Sequence, residues 1–343
     1  MKRVGFLIEK IADIDNLRLA FWKARKGKSY ANEVAIYRQN LDKNLLTLQA
    51  EILSGEVKVG NYRYFKIFEP KERQICASAF SEQVLHHAMM NVCHQHFEAY
   101  QINESYASRK GKGTYAAIEK AKEHTARYKF YLKLDVKKFF DSIPHKVMKA
   151  QLRRMFKDGK VIQIFDSIID SYAVGNANAV RVQNPDSVLD NRGVPIGNLT
   201  SQYFANHFLA VLDHFIKENL GGKFYVRYMD DMVLWHDDKA VLLIFKTQID
   251  NFLRDKLFCT LKPEALNHCN QGLPFLGYLI FPNTIWLRQQ SKKRFIKKIK
   301  IIETNYHNGN WSEAHCQRKV LPLLAFVQHA DTGAFRKRVL TQK

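Results

Sequence analysis

Cysteine is scarce in this chain and falls in no recognisable pattern. The five residues (Cys76, Cys93, Cys259, Cys269 and Cys316) are an odd number with no CxxC pair, which speaks against a disulfide framework or a zinc ribbon. Long apolar runs are missing as well: none approaches the ~18 residues a membrane span needs. The opening MKRVGFLIEKIADIDN has only a four-residue apolar stretch before Glu9, too short for a signal peptide. A soluble, cytoplasmic protein with free thiols and no membrane association is expected. No HxxxH or HExxH metal spacing occurs, and neither an internal repeat nor a low-complexity linker is visible. Acid is the scarcer charge, with 33 Asp and Glu against 54 Lys and Arg, a net charge of +21. A surface this basic points to a polyanion, most often nucleic acid, whose phosphates release counterions when neutralised. With 343 residues, 46% of them apolar, the chain can bury a full core, which excludes a disordered or collagen-like protein.

Apolar residues at helical spacing predict helices over 10–54, punctuated by Gly27 and Gly55. The alternation Tyr62–Phe68 and the segment through Ile75 predict two strands around a turn at 69–73. A helix is expected over 82–98. The loop ESYASRKGKGT (104–114) follows, with Thr114 as N-cap of a helix over 115–127. A short strand at 131–136 precedes a break at Pro144 and helices over 145–172. Residues 175–197 read as loop and 199–219 as helix. Strands are predicted at 224–228 and 232–235, a helix over 239–256, a strand pair near 258–262 and 275–287, and basic helices over 288–343.

Three acids stand out by context. Asp135 ends an apolar strand, and Asp230 and Asp231 sit between two hydrophobic strands in KFYVRYMDDMVLW. Crowded like charges are costly unless something neutralises them. A divalent cation is the usual neutraliser, and hard oxygen ligands favour Mg²⁺. Two such ions, with Mn²⁺ as a substitute, would activate an attacking hydroxyl and stabilise a leaving pyrophosphate.

Tyr228-Met-Asp-Asp231 resembles the YxDD signature of reverse transcriptases. Leu134-Asp-Val-Lys-Lys-Phe-Phe-Asp-Ser-Ile143 resembles the preceding aspartate motif of that family. The resemblance covers about residues 15–300. It implies an α+β right-hand polymerase with fingers, an antiparallel-sheet palm and a helical thumb. On that reading 1–60 is an N-terminal helical extension and 61–130 the fingers with the start of the palm. The palm would occupy 131–287, with a fingers insertion around 145–195, and the basic thumb 288–343. Asp135, Asp230 and Asp231 would be catalytic and hold the metals together with the Val136 backbone carbonyl. Phe68-Glu-Pro-Lys-Glu-Arg73 resembles the basic fingers hairpin, which implies that Lys71 and Arg73 grip the incoming dNTP; a point charge and a bidentate fork suit phosphate oxygens. Phe140 takes the position expected to stack under the sugar and exclude a 2′-hydroxyl; Phe139 stands beside it and only one can face a nucleotide. Pro274-Phe-Leu-Gly-Tyr278 resembles the primer grip, with Phe275, Leu276 and Gly277. Lys262 is the one lysine near the family's general-acid position, where Ala265 stands instead. Glu82-Gln83 replace an expected Asp-Arg.

The segment Gly193-Val-Pro-Ile-Gly-Asn-Leu-Thr-Ser-Gln202 narrows the resemblance. Most relatives carry Gln-Gly where this chain has Ile196-Gly197. The Ile-Gly-x-x-x-Ser-Gln form is similar to reverse transcriptases of diversity-generating retroelements. That subtype, bacterial or phage-encoded, implies mutagenic retrohoming: cDNA made from a template-repeat RNA with errors at adenines, assisted by a small basic pentameric accessory protein. Ile196 and Gly197 would then face the dNTP, and Ser201 and Gln202 the nucleic acid. Arg109, Lys110 and Lys112 form a basic patch among glycines. Lys292, Lys293, Arg294, Lys297 and Lys298 line the polar side of a helix whose apolar face carries Phe295, Ile296, Ile299 and Ile302. Both would track phosphates of an RNA–DNA hybrid. Alternatives are a retron, phage-defence or group II intron-like reverse transcriptase, or a non-catalytic RNA-binding scaffold.

Overall fold

Helix and strand boundaries follow local chemistry. The computed structural model describes residues 2–68, 72–174 and 191–341. The N-terminal third holds α1 (Ile8–Ala12), α2 (Ile14–Arg25), α3 (Asn32–Gln39), α4 (Leu41–Ser54), β1 (Tyr62–Ile67), β2 (Arg73–Ser78) and α5 (Phe80–Tyr100). Then come α6 (Thr114–Arg127), β3 (Phe130–Asp135), α7 (Phe139–Ser142), α8 (His145–Met155), α9 (Gly159–Asp170) and α10 (Leu199–His214). The rest comprises β4 (Tyr225–Tyr228), β5 (Asp231–His236), α11 (Lys239–Phe252), β6 (Ala265–His268), β7 (Leu273–Phe275), β8 (Tyr278–Ile280) and β9 (Ile285–Leu287). Three basic helices close it: α12 (Gln289–His307), α13 (Glu313–Gln328) and α14 (Gly333–Thr341). Among the described residues no helix is long and apolar enough to cross a membrane.

The chain forms two compact units, each assembled from three separated segments. The first comprises Met1–Ile102, Val136–Ile216 and Asp250–Leu261. Its α2 starts where the Asp13 carboxylate accepts from the Asp15 and Asn16 amides, and buries Leu17, Ala20, Phe21 and Ala24. Helix α4 stops at Gly55, whose φ of 83° places it in the left-handed region that glycine enters without strain. Helix α5 buries Val84, Leu85, Met89 and Phe97. Phe97 meets Phe156, Phe165 and Phe204 at ring distances of 5.6, 6.2 and 6.4 Å. The β1–β2 hairpin pairs Tyr62 with Ser78 and Ile67 with Arg73.

The second unit comprises Asn103–Asp135, Lys217–Ile249 and Lys262–Lys343. Its antiparallel sheet runs β4-β5-β3-β6, with Leu132 and Leu134 of β3 fully buried. A second sheet, β7-β8-β9, shares a core with α6, α12 and the first sheet through Phe275 and Tyr278, Ala117 and Ile118, Phe295 and Ile299, and Tyr131 and Trp235.

Three expectations are corrected. Helix α6 is capped by Gly113 and begins at Thr114 itself. The stretch 258–262, expected as a strand, makes a single bridge from Leu261 to Val136, and the strand itself lies at Ala265–His268. Pro263 has no N–H to offer a ladder, and Phe258 turns the chain at φ 54°. Helix α11 keeps α geometry only to Phe252 and ends in a wider turn over Leu253–Leu257. Most of the loop read at 175–197, its residues 175–190, lies outside the described residues.

Candidate active site

The register of the central sheet brings the three acids to one end. Asp135 is the last residue of β3 and pairs with Asp231, the first of β5; Asp231 also pairs with Tyr228. Met229 and Asp230 therefore form the tip of the β4–β5 hairpin. Met229 takes φ 54°, a conformation that strains a residue with a Cβ. The fully buried Arg227 braces this tip, its Nη1 donating to the Met229 carbonyl at 3.0 Å. The Tyr228 hydroxyl accepts from Thr114 Oγ1 at 3.1 Å.

Like charges directly opposite across two strands repel, and two lysines answer that repulsion. Lys133 lies two residues before Asp135, on the same face of β3, diagonal to Asp231. Its Nζ stands 2.9 Å from Asp231 Oδ1 and 3.1 Å from Oδ2. Lys262 binds Asp135 twice: its amide donates to the Asp135 carbonyl at 2.8 Å and its Nζ to Oδ1 at 2.6 Å. Burial, then the neighbouring Asp135, pushes the Asp230 carboxyl up to about 6. Burial raises Asp231 as well, against the pull of Lys133. The sequence reading missed Lys133 and Arg227. The i, i+2 spacing of Lys133 and Asp135 in an alternating strand was the signal available for the first.

The donor set suits a hard divalent cation: three carboxylates converge at one sheet end. As they stand, no three His, Cys, Asp or Glu side chains among the described residues are arranged to hold an ion. Two of the three acids are instead held by ammonium groups. Val136, proposed to add its carbonyl, is fully buried and bridges Leu261.

Other candidates of the second unit are spread along it. Arg109 Nη1 donates to the Ser105 carbonyl at 2.7 Å and Lys112 Nζ to Asn103 Oδ1 at 2.6 Å, so both turn onto their own loop. Lys110 is exposed. Phe275 is buried, and Leu276 and Gly277 turn the β7–β8 hairpin at φ 47° and 93°, as a two-residue hairpin loop requires. The Gly277 carbonyl accepts from Ser291 Oγ at 2.7 Å, which pins the start of α12 to that turn. Along α12, Phe295, Ile299 and Ile302 are buried. Lys293 and Lys297 are exposed, while Lys292, Arg294 and Lys298 are half-buried.

In the first unit the two phenylalanines separate: Phe139 is 3% exposed, whereas Phe140 is half-buried. The Ile196 carbonyl accepts from the Cys76 amide of β2 at 2.8 Å. Gly197 follows at φ 128°, where a Cβ would lie 2.7 Å from the Cys76 carbonyl oxygen, so a side chain has no room. Ser201 is 2% exposed, packed inside α10, and has no surface to offer a nucleic acid; its neighbour Gln202 is exposed. Arg73 is exposed at the turn end of the β1–β2 hairpin, opposite Ile67. Lys71 lies outside the described residues.

An antiparallel sheet presenting carboxylates from two adjacent strands, within a mixed helical chain, is the right-hand polymerase fold of the nucleotidyltransferases. The same architecture occurs in apo telomerase from Candida tropicalis: TM-score 0.50 at 14% identity, over 68% of this chain and 49% of that one. Residues 69–280 match the model of the reverse transcriptase (RNA-dependent DNA polymerase) family, and the chain belongs to it. Domains of that family work with divalent metal ions. Curated relatives include the COX1/OXI3 intron 2 protein of Saccharomyces cerevisiae, 20% identical over 70% of this chain, and protein YkfC of Escherichia coli, 22% identical over 68%. The chain spans about a third of the yeast protein (32%) and 71% of YkfC.

Proposed function

We propose that this protein copies an RNA template into DNA, with Asp135, Asp230 and Asp231 holding two Mg²⁺ ions. The observation that carries this reading is the convergence of the three acids at one end of the β4-β5-β3 sheet, in a chain of this family. Bound there, the ions would supply the charge needed to activate a primer hydroxyl and stabilise leaving pyrophosphate. Lys262, already on Asp135, is the candidate proton donor to that leaving group. Phe140, the more exposed of its pair, would screen the sugar, and Arg73 would take the triphosphate with Lys71. Lys293 and Lys297 of α12 would grip backbone phosphates without reading sequence. In this assignment the fingers fall in 61–130, the palm in 131–287 and the thumb in 288–343.

The subtype we favour is that of diversity-generating retroelements, working with a small basic pentameric accessory protein. The sequence Ile196-Gly197 supports it: an aliphatic side chain stands where a hydrogen-bonding glutamine is usual. An intron-type reverse transcriptase is the second reading, favoured by the resemblance to the yeast intron 2 protein. Primer extension on an RNA of mixed sequence, followed by cDNA sequencing, separates them. Errors concentrated opposite adenines support the first; errors spread evenly over the four bases support the second.

A further inference from the structure

Lys133 stands beside the acid cluster, on Asp231, and has no part in the proposed chemistry. Its ammonium reaches both oxygens of Asp231, at 2.9 and 3.1 Å, and both side chains are about one-fifth exposed. Asp135 lies directly opposite Asp231 and carries Lys262 at 2.6 Å. In this arrangement no three acids among the described residues are set to hold an ion, and the Asp231 carboxylate is taken up by the ammonium of Lys133 instead. The ammonium therefore supplies positive charge to the carboxylate where a bound ion would supply it. A lysine ammonium is a compact, mobile point charge on a flexible stem, which suits a group that must partly yield.

We propose that Lys133 is the resident counter-cation of the metal centre. It neutralises and orients Asp231 when no divalent ion is bound, and it competes with the ion for the same carboxylate. Lys133 is on this account a positioning residue that acts through Asp231 and sets how tightly the ion is held. The inference rests on the reading of Asp231 as a metal ligand.

The sign of the effect separates this role from a structural one. Removing a lysine that only props up the sheet would loosen the acids and weaken ion binding. Removing a competing cation leaves three carboxylates less neutralised, so the ion-free protein is destabilised while the ion binds more tightly. For a partly exposed pair the gain is modest, about three- to tenfold in affinity.

The test is Mn²⁺ titration of the full chain by calorimetry or electron paramagnetic resonance, paired with thermal unfolding in EDTA. The variants are Lys133→Met, Lys133→Gln, Lys133→Arg and Asp231→Asn. Lys133→Met should bind Mn²⁺ about three- to tenfold more tightly than wild type and melt earlier in EDTA, the gap closing as Mn²⁺ is added. Lys133→Gln should move affinity in the same direction, which keeps the test decisive if the Met variant does not fold. Lys133→Arg, which keeps the charge, should stay near wild type in both readings. Unchanged or weaker Mn²⁺ binding by the neutral variants, with Asp231→Asn still impaired, overturns the counter-cation role alone. Identical Mn²⁺ binding by wild type and Asp231→Asn overturns the metal-ligand reading and the inference with it.

Discussion

Glu82 provides a test of the packing of the first unit that needs no substrate. It sits in the first turn of α5, almost wholly buried, and its Oε2 accepts from the Gly60 amide at 3.1 Å, tying down the chain just before β1. Its other oxygen lies 3.7 Å from His86 Nε2, and neither atom has a hydrogen bond. Burial outweighs the hydrogen bonds from Gly60, Asn61 and Tyr62, and pushes the Glu82 carboxyl from its ordinary 4.5 to about 7. Burial first, then His87, drives His86 down to about 3, so this histidine is neutral and does not rescue an ionised Glu82. A carboxyl raised in the folded state favours folding fully below its unfolded pKa, and that contribution is lost as pH rises from 4.5 towards 7. Each pH unit of displacement is worth about 1.4 kcal/mol. Glu82→Gln keeps an acceptor for the Gly60 amide and removes the ionisation. It should be stabilising at pH 8, by about 2 kcal/mol more than at pH 5, with His86 cancelling between variant and wild type. Urea unfolding of both proteins at the two pH values measures this. A stability difference that does not change with pH, or that shifts towards wild type at pH 8, refutes the reasoning.

Two further outcomes concern substrate choice. Phe140→Ala should raise ribonucleotide incorporation at least several-fold in a competition of dNTP and rNTP, whereas Phe139→Ala should lower stability by about 3–5 kcal/mol as a core truncation; discrimination altered in the second variant and not the first would reverse the assignment. Ile196→Gln restores a hydrogen-bonding side chain, a contribution of about 0.5–1.5 kcal/mol, and should cut misincorporation opposite adenine several-fold in sequenced cDNA; an unchanged adenine error frequency would leave Ile196 a subtype marker without a role in infidelity.

The acid cluster was legible because its signals are local. A strand ending in Asp135 and a hairpin tipped by Asp230-Asp231 are visible in alternation and spacing, and antiparallel pairing then sets the acids side by side. Similar periodicity made α2, α4 and α5 readable. What the sequence hid depends on non-local geometry. Arg227 looks like a surface cation in a string of letters; only the fold shows it fully buried and spent on the Met229 carbonyl. Ser201 is polar and stands beside an exposed Gln202, yet the packing of α10 encloses it. The place of β6 depends on which stretch pairs with β3, and no alternation pattern reveals that. The need for glycine at 197 arises from a β2 carbonyl more than a hundred residues earlier in the chain. The division into two units, each built from three segments, has no compositional trace.

The central claim is that Asp135, Asp230 and Asp231 together carry RNA-templated DNA synthesis. Asp230→Asn tests it most directly, because it removes one ligand charge while keeping the shape of the hairpin tip. Burial has already pushed that carboxyl up to about 6, so the neutral amide should be tolerated by the fold. The measurement is extension of a primer on an RNA template with Mg²⁺, beside thermal unfolding of the same preparations. The account predicts a loss of several orders of magnitude in extension rate with an unfolding midpoint at or above that of wild type. Extension at a near wild-type rate by a folded Asp230→Asn protein would contradict it.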